Sequence, residues 1–333
     1  MSAWSIEAAL GVTTPAVSAS GSTTAMCEVR DTPQLPSAKA FLLSKPNGGV
    51  YTCARASAIR NHHQHYELVL GDFHLERLAT GIRTLCSNSE RNNEKEWVAD
   101  MQRVTTELSE KVIRHAEAQR EQNQLDDLMV TVLWWTNQQP TATPKSYNVS
   151  VHACLMPTPK SMTSTILIHG EGRENALCKH TKWISARAPL EEYTAQMNAS
   201  HGPIHETILS SYDAVQDDKL LLEGLITNFF VVQDGNVATA ADGVLRGSTR
   251  ELVLKACKEL GIPVVFRAPR LSEKELWQAA FVTSAVRVVI GVTRVLWKNR
   301  DSDDIQEFQI AESSDIVERI RQCIIDRQYF LSQ

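Results

Sequence analysis

Residues 222–251 read LEGLITNFFVVQDGNVATAADGVLRGSTRE, and this stretch combines a strand hairpin with the start of a helix. β-Branched and aromatic residues dominate 228–232, and the Asp-Gly pair at 234–235 is a strong turn signal ahead of 236–239. A capped, periodic segment follows and predicts a helix over 248–260. The stretch therefore predicts a β-hairpin that leads through a short loop into a helix.

The start of this helix has the features of an anion site. Ser248-Thr249-Arg250-Glu251 matches a capping box, in which Ser and Glu side chains satisfy backbone N–H groups at the helix start. Gly247 precedes it, and free N–H groups at such a start, together with the helix dipole, favour a phosphate. Most capped helices bind no anion, so the pattern by itself leaves the phosphate open.

Glu223 lies inside an otherwise apolar strand pattern, 220–224. A buried carboxylate is strongly unfavourable unless it is paired, so we expect a buried cationic partner for it. The alternative is that Glu223 lies at an edge of the sheet and faces water.

Two lysines lie close together in the run 178–183, CKHTKW. A lysine among apolar residues becomes a nucleophile when its pKa is lowered. Most lysines are solvated surface residues, and spacing alone does not distinguish Lys179 from Lys182.

Taken together, these motifs resemble a known family. Glu-Gly-x-x-x-Asn-x-Phe from Glu223, followed by Val-Leu-x-Gly-x-Thr-Arg up to Arg250, resembles the signature of class IV (fold type IV) pyridoxal-phosphate enzymes. This group includes branched-chain aminotransferases, D-amino acid aminotransferases and aminodeoxychorismate lyases. Residues 49–55 (GVYTCAR) resemble its first substrate-side strand, and residues 74–78 (HLERL) resemble its His-x-x-Arg-Leu helix.

The resemblance spans residues 49 to about 295, and three further runs resemble a plant group of D-amino acid aminotransferase-like proteins. These runs are residues 179–187, 189–191 and 275–277. The family resemblance implies an α+β fold in two domains. The smaller N-terminal domain would be an α/β sandwich and the larger C-terminal domain a pseudo-barrel, and the protein would be a homodimer.

The resemblance assigns roles to matched positions around pyridoxal 5'-phosphate. Lys179 would form the Schiff base, because KHTKW resembles a lyase run whose first residue is that lysine, and Lys182 falls where the relatives have Asn. Glu223 would face the pyridine nitrogen and keep it protonated, and Arg77 would clamp the phosphate. The other implied contacts are Asn228, Leu245, Ser248, Thr249, Ser284 and Ala285 for the cofactor, and Tyr51 and Arg55 for the substrate.

Three functions remain open at this point. The first is an aminotransferase that acts on an amino acid. The second is a lyase of the aminodeoxychorismate type that releases pyruvate, a function that Trp183 and Ser284-Ala285-Val286 favour by their resemblance to lyases. The third is a pyridoxal-phosphate-binding homologue without turnover.

Composition excludes other classes of partner. The 333 residues include 34 Lys and Arg against 39 Asp and Glu, a net charge of -5, so we predict no nucleic acid partner. The most apolar region, 281–297, contains Arg287 and Arg294, so we predict no membrane partner. The expected partner is a small-molecule amino acid or amino-chorismate.

The cysteines indicate a reducing compartment. There are 7 of them, they are scattered, and none forms a CxxC pair. We predict a cytoplasmic protein, with an organelle reached through the N-terminal segment as the alternative. No cluster with metal-ligand spacing is evident, so we predict no metal site.

The sequence predicts four segments. Residues 1–37 are predicted to be a disordered tail, 38–156 an N-terminal α+β domain, 157–164 a linker and 165–333 a pyridoxal-phosphate-binding domain. Within the N-terminal domain, Ala40–Leu43 is predicted to be a short strand.

Overall fold

The computed structural model describes most of the chain: residues 2–11, 28–58, 66–85, 94–119, 126–136, 146–159, 161, 163–299, 304–311 and 314–328. The chain divides into two compact units. The N-terminal unit comprises 1–157 and 178–183, and the C-terminal unit comprises 158–177 and 184–328.

Strands and helices are mixed in both units. In chain order they are β1 (Ala3–Gly11), β2 (Arg30–Asp31), α1 (Ala38–Leu43), β3 (Gly49–Ala58), β4 (Tyr66–Leu68), α2 (Gly71–Leu85), α3 (Glu94–Ala118), β5 (Leu128–Trp135), β6 (Ser146–Leu155), β7 (Thr163–Glu171), α4 (Lys182–Ala186), α5 (Ala188–His201), β8 (Glu206–Asp213), β9 (Asp218–Gly224), β10 (Asn228–Gln233), β11 (Asn236–Thr239), α6 (Ser248–Leu260), β12 (Val264–Phe266), a 3₁₀ helix (Leu271–Leu276), β13 (Ala279–Ser284), β14 (Val288–Lys298), β15 (Ile305–Gln309) and α7 (Asp315–Gln328).

The N-terminal unit contains an antiparallel sheet with α2 and α3 on one face and α1 on the other. Its strand order is β2-β1-β6-β5-β3-β4. Side chains alternate along each strand, so one face presents apolar residues to α2 and α3. The core between sheet and helices includes Trp4, Leu78, Val104, Val130 and Trp134.

The sequence predicts a disordered tail over residues 1–37, but part of this segment forms strand β1. Its Trp4, Ile6 and Ala8 alternate with Ser5 and Glu7, and these three apolar side chains are buried in the core. β1 pairs with β6 from Ala3 opposite Cys154 to Gly11 opposite Ser146, so it is an inner strand of the sheet. Residues 12–27 of the predicted tail lie outside the described residues.

The strand predicted at Ala40–Leu43 is helix α1 instead. Ser37 is its N-cap, with extended backbone, and its side chain accepts a hydrogen bond from the Ala40 N–H at 3.3 Å. A serine at this position satisfies a free N–H group and favours a helix start. The local cap therefore outweighs the strand pattern of the apolar run.

The C-terminal unit is a closed sheet with α6 and α7 packed together. The order is β12-β11-β10-β13-β14-β7-β8-β9, with β15 on β14, and β9 also pairs with β10. This last pairing closes β10, β13, β14, β7, β8 and β9 into a ring, which is the pseudo-barrel that the sequence predicts. Its core is apolar and includes Ile166, Ile208, Phe229, Val282 and Val295.

The hairpin predicted from the opening stretch is confirmed. β10 and β11 pair across Asp234-Gly235, which have φ values of 52° and 72°. Both central residues lie in the left-handed region, as a type I′ turn requires, and Asp-Gly adopts it readily.

The helix predicted over 248–260 is also confirmed, and its end at Gly261 has a φ of 67°. Its start differs from the prediction, because Gly247 is the N-cap and makes no side-chain cap hydrogen bond. Ser248 is therefore already the first helical residue, and the predicted capping box is wrong.

Candidate active site

Arg77 is a buried cation in the N-terminal unit. It lies on α2, and burial lowers its pKa to about 10. Its Nη2 donates to the hydroxyl of Thr52 on β3 and lies 3.2 Å from Nδ1 of His74. These two neutral groups orient the guanidinium.

His74 is buried beside Arg77 and is held neutral. Burial is the main cause that holds its pKa well below the usual value, and the charges of Arg77 and Lys179 add to the effect. Its Nδ1 lies 2.6 Å from Thr52 Oγ1. Because Nδ1 also faces the Arg77 donor, it acts as an acceptor, and the Thr52 hydroxyl donates to it.

Lys179 is attached to β3 through the backbone. Its carbonyl accepts from the Tyr51 N–H at 2.8 Å, and the Thr181 N–H donates to the Gly49 carbonyl at 3.0 Å. Lys179 Nζ lies 4.9 Å from the centre of the Tyr51 ring. The structure thus brings two sequence-predicted site residues, Lys179 and Tyr51, together.

Lys179 and Lys182 differ in environment. Lys179 is half-buried, whereas Lys182 is exposed at the first position of α4. The half-buried Lys179 beside the Tyr51 ring therefore fits a cofactor-site lysine better than the exposed Lys182 does.

Arg55 lies on the same face of β3 as Tyr51, since the two are four residues apart on a strand. Its guanidinium forms an ion pair with Asp127, and both side chains are largely buried, at 14% and 15% exposed. Sequence patterns did not point to Asp127, because it lies 72 residues away along the chain.

Glu223 ends β9 in the C-terminal unit and is 3% exposed. The predicted buried cation exists and is Arg173, whose Nε lies 2.7 Å from Glu223 Oε1. The alternative of an edge residue that faces water is therefore wrong. Arg173 was missed by the sequence motifs, because it lies between Glu171 and Glu174 with no pattern that sets it apart from other surface charges.

Leu245 is held at both of its backbone groups. Its N–H donates to Glu223 Oε2 at 2.9 Å, and its carbonyl accepts from Asn228 Nδ2 at 2.8 Å. A Cβ at Gly247 would lie 2.2 Å from Asn228 Oδ1, so only glycine fits there. The acid, the amide and the glycine of the motif thus fix one loop between β11 and α6.

This loop delivers the start of α6. Ser248 and Thr249 are buried at 9% and 5% exposed. Since the N-cap is a glycine without a side-chain cap, donors in the first turn remain available to an outside acceptor. Glu223 contacts the backbone of Leu245, and only Arg246 and Gly247 lie between Leu245 and the first helical residue, Ser248.

The turn after β13 carries Ser284 and Ala285. Ser284 Oγ accepts from the Arg287 N–H at 3.1 Å, and Arg287 itself contacts Glu206 Oε2 at 3.2 Å. Burial raises the pKa of Glu206, and the charge of Arg287 opposes that effect. The register of β10 and β13 places Thr283 opposite Asn228, which holds the loop before α6. The turn after Thr283 therefore begins beside this loop-holding residue.

Thr283 has a buried hydroxyl at this location. The residue is 1% exposed, and among the residues that the structure describes its Oγ1 has no hydrogen-bond partner. A buried unsatisfied hydroxyl is unfavourable, and a ligand with polar atoms would satisfy it.

The described ranges lack two further features, a metal-binding cluster and a membrane-spanning helix. They contain no group of three or more His, Cys, Asp or Glu that could hold a metal ion. None of the helices within them is long and apolar enough to cross a membrane.

The comparison with protein families covers most of the chain. The model described as "Amino-transferase class IV" matches residues 49–295. The chain therefore belongs to the class IV aminotransferases, as the motifs predict, and this family membership indicates an enzyme.

Solved structures share the fold at low sequence identity. A branched-chain aminotransferase from the archaeon Thermoproteus uzoniensis, with norvaline, has a TM-score of 0.62 and 15% identity over 92% of this chain and 94% of its own. A hypothetical aminotransferase from Mycobacterium tuberculosis, in PLP-bound form, has a TM-score of 0.62 and 15% identity over 92% and 97%. An aminotransferase from Brucella abortus, bound to PLP, has 0.60 and 14% over 97% and 99%.

These neighbours confirm the predicted fold, a mixed structure of helices and strands with a pseudo-barrel sheet. No curated protein matches this chain. The finer resemblance to plant D-amino acid aminotransferase-like proteins stays a prediction.

Proposed function

We propose that this chain is a pyridoxal 5'-phosphate-dependent aminotransferase that acts on a small amino acid. The observation that carries the proposal is the connection from Glu223 through Leu245 to the start of α6. It connects a buried carboxylate, through one loop, to the uncapped first turn of a helix. A cofactor with a basic ring nitrogen and a phosphate needs both groups.

The residues present fit this cofactor. In the C-terminal unit the unsatisfied hydroxyl of Thr283 and the uncapped first turn of α6 offer donors, and in the N-terminal unit Arg77 is a buried cation. Residues that would hold the cofactor are Arg77, Lys179, Glu223, Asn228, Leu245, Ser248, Thr249, Ser284 and Ala285. Of these, Asn228 would act through the loop that it holds.

When bound, the cofactor supplies an electron sink for the carbanion that forms at the substrate α-carbon. The chain supplies the remaining functions. Lys179 Nζ would hold the cofactor through its aldehyde carbon until the substrate amine displaces it, and the freed amine would then take the α-proton and deliver it to that same cofactor carbon. Glu223 would hold a proton at the ring nitrogen. Tyr51 would contact the substrate, and Arg55, with Asp127, would shape that side.

The attachment site can be tested directly. Borohydride reduction of the loaded protein followed by peptide mass spectrometry should find the pyridoxyl group on Lys179. Lys179→Ala should remove both the label and the visible cofactor absorption. Lys182→Ala is the matched control and should keep them. Label that remains in Lys179→Ala and disappears in Lys182→Ala would contradict the assignment.

A second candidate is the lyase that releases pyruvate from an amino-chorismate. The observation that favours it is the turn Ser284-Ala285-Val286, which resembles the lyases. Incubation with single amino acids and 2-oxoglutarate or pyruvate should yield a new keto acid if the protein is an aminotransferase. Pyruvate released from aminodeoxychorismate without an acceptor would identify the lyase, and no response to any amine would identify a homologue without turnover.

We further propose that the protein is a cytoplasmic homodimer. Scattered cysteines support the reducing compartment, and the family resemblance supports the dimer. Sedimentation equilibrium of the loaded protein should give twice the mass of one chain.

A further inference from the structure

Arg173 lies directly against the acid of the proposed cofactor site. Its Nε is 2.7 Å from Glu223 Oε1, and the two side chains are 8% and 4% exposed. Arg173 lies outside the family motif, and the spacing of residues in the sequence does not point to it. Its contact with Glu223 therefore needs an explanation of its own.

The carboxylate of Glu223 is engaged at both oxygens. Oε1 accepts from Arg173, and Oε2 accepts from the Leu245 N–H at 2.9 Å. A carboxyl that accepts at both oxygens has the hydrogen-bond pattern of the ionised form. Arg173 thus orients Glu223 and compensates its charge before any ligand is present.

The guanidinium of Arg173 is itself anchored. Its Nη2 donates to the carbonyl of Ala176 at 2.6 Å, so the planar group is held from both sides. Rotation of Arg173 away from Glu223 would leave a buried carboxylate and a backbone carbonyl unsatisfied. This pair is consequently a fixed feature of the C-terminal unit.

More than one cation acts on Glu223. Arg250, on α6, is close enough for its pKa to be raised by the charge of Glu223, although burial lowers that pKa overall and Arg246 adds to the lowering. Arg173 and Arg250 therefore both interact with the negative charge of Glu223. A carboxylate next to a cation has less attraction left for a proton elsewhere.

We propose, on the basis of the function proposed above, that Arg173 is a positioning residue for Glu223. It orients the carboxylate beside Leu245 and weakens the hold of that carboxylate on the proton of the cofactor ring nitrogen. The ring nitrogen would then lose its proton at a lower pH than it would beside an unpaired glutamate.

The proton can be followed by nuclear magnetic resonance. The protein is loaded with pyridoxal 5'-phosphate labelled with ¹⁵N in the ring, and the nitrogen signal is titrated with pH. Arg173→Gln should raise the midpoint of this titration by about one pH unit or more, since it removes one adjacent cation. Arg173→Lys keeps a charge and should shift it less. Arg103→Gln, an exposed arginine on α3, is the control and should not shift it.

A second measurement uses the protein without cofactor. Arg173→Gln leaves Glu223 buried without this partner, so its thermal midpoint should fall further than that of the double variant Arg173→Gln/Glu223→Gln. Equal midpoints would show that Arg173 does not compensate Glu223 and would overturn the proposal.

The outcomes separate the two proposals. If the wild-type protein binds the cofactor and Arg173→Gln leaves the ring titration unchanged, the role of Arg173 is disproved and the proposed function stands. If the wild-type protein binds no cofactor, the proposed function fails and the inference about the ring proton fails with it. The thermal comparison would still report on the ion pair alone.

Discussion

Leu245 shows how single residues create the candidate site. Its backbone holds the loop, because its N–H donates to Glu223 and its carbonyl accepts from Asn228. Gly247 then allows the chain to pass Asn228 at a distance that no other residue permits. The motif therefore describes one set of mutually dependent contacts.

Replacement of Gly247 by Ala tests this dependence. The new Cβ would lie 2.2 Å from Asn228 Oδ1, so the loop or the amide must move. We expect the free energy of unfolding to fall by about 1–3 kcal/mol, as overpacking usually costs, and cofactor affinity to fall at least tenfold. Urea unfolding and fluorescence titration with pyridoxal 5'-phosphate measure the two effects.

Gly291→Ala is the matched control, because a Cβ there meets no heavy atom within 4 Å. Unchanged cofactor affinity in Gly247→Ala would show that the loop does not deliver the binding site.

At the scale of elements, β1 is the segment that sequence patterns missed. The Ser/Thr/Ala-rich run that follows it is typical of a tail. The alternation of Trp4, Ile6 and Ala8 is typical of a strand, but it is short beside that run. In the structure β1 lies between β2 and β6. It extends the sheet and completes one side of the core of the N-terminal unit.

Trp4→Ala should destabilise the protein strongly. Trp4 is 3% exposed, and truncation of a buried Trp costs about 3–5 kcal/mol. Chemical unfolding followed by circular dichroism measures the change. Ala9→Ser, on the exposed side of β1, should stay within about 0.5 kcal/mol of wild type. A loss below 1 kcal/mol in Trp4→Ala would indicate that β1 is not part of the folded core.

The hairpin, α6 and its end at Gly261 could be predicted because local chemistry determines them. Asp234-Gly235 suits a turn with positive φ, and a glycine suits the left-handed end of a helix. The N-cap of α6 was predicted one residue late, because Gly247 carries no side chain from which a cap could be read.

Partners distant in sequence were not predictable in the same way. The sequence indicated that Glu223 needs a cation, but 50 residues separate it from Arg173. The pairing of β7, β8 and β9 in one sheet brings them together. The same holds for Arg55 with Asp127 and for Thr52 with His74 and Arg77, whose contacts depend on how β3, β5 and α2 pack.

The whole molecule carries a consistent set of neutral histidines. Burial is the main cause that lowers the pKa of each of five residues, His74, His152, His169, His180 and His205. Both units contribute to this set. Protonation of these side chains is therefore less favourable in the folded protein than in the unfolded chain.

Stability should consequently fall as the solution is acidified. Below pH 6.5 the unfolded chain gains protons that the folded protein does not, and for His180 this holds down to a pKa of about 4. One fully buried histidine adds up to about 1.4 kcal/mol per pH unit to the slope. His180→Asn should reduce the slope by less, because His180 is only partly buried.

Urea unfolding at pH values from 7 down to about 4 measures this slope. His115→Asn, at a partly exposed position on α3, serves as the control. A stability that is constant or rises on acidification to pH 5 would contradict the prediction.

The seam of the pseudo-barrel has a consequence for evolution. Strands β9 and β10 join through one residue pair, Glu223 opposite Asn228, and these same residues hold the loop into α6. A mutation that alters the acid also threatens the closure of the ring. Lineages that explore new substrates would therefore retain this pair while their loops diverge, so substrate preference would drift far more easily than the underlying chemistry.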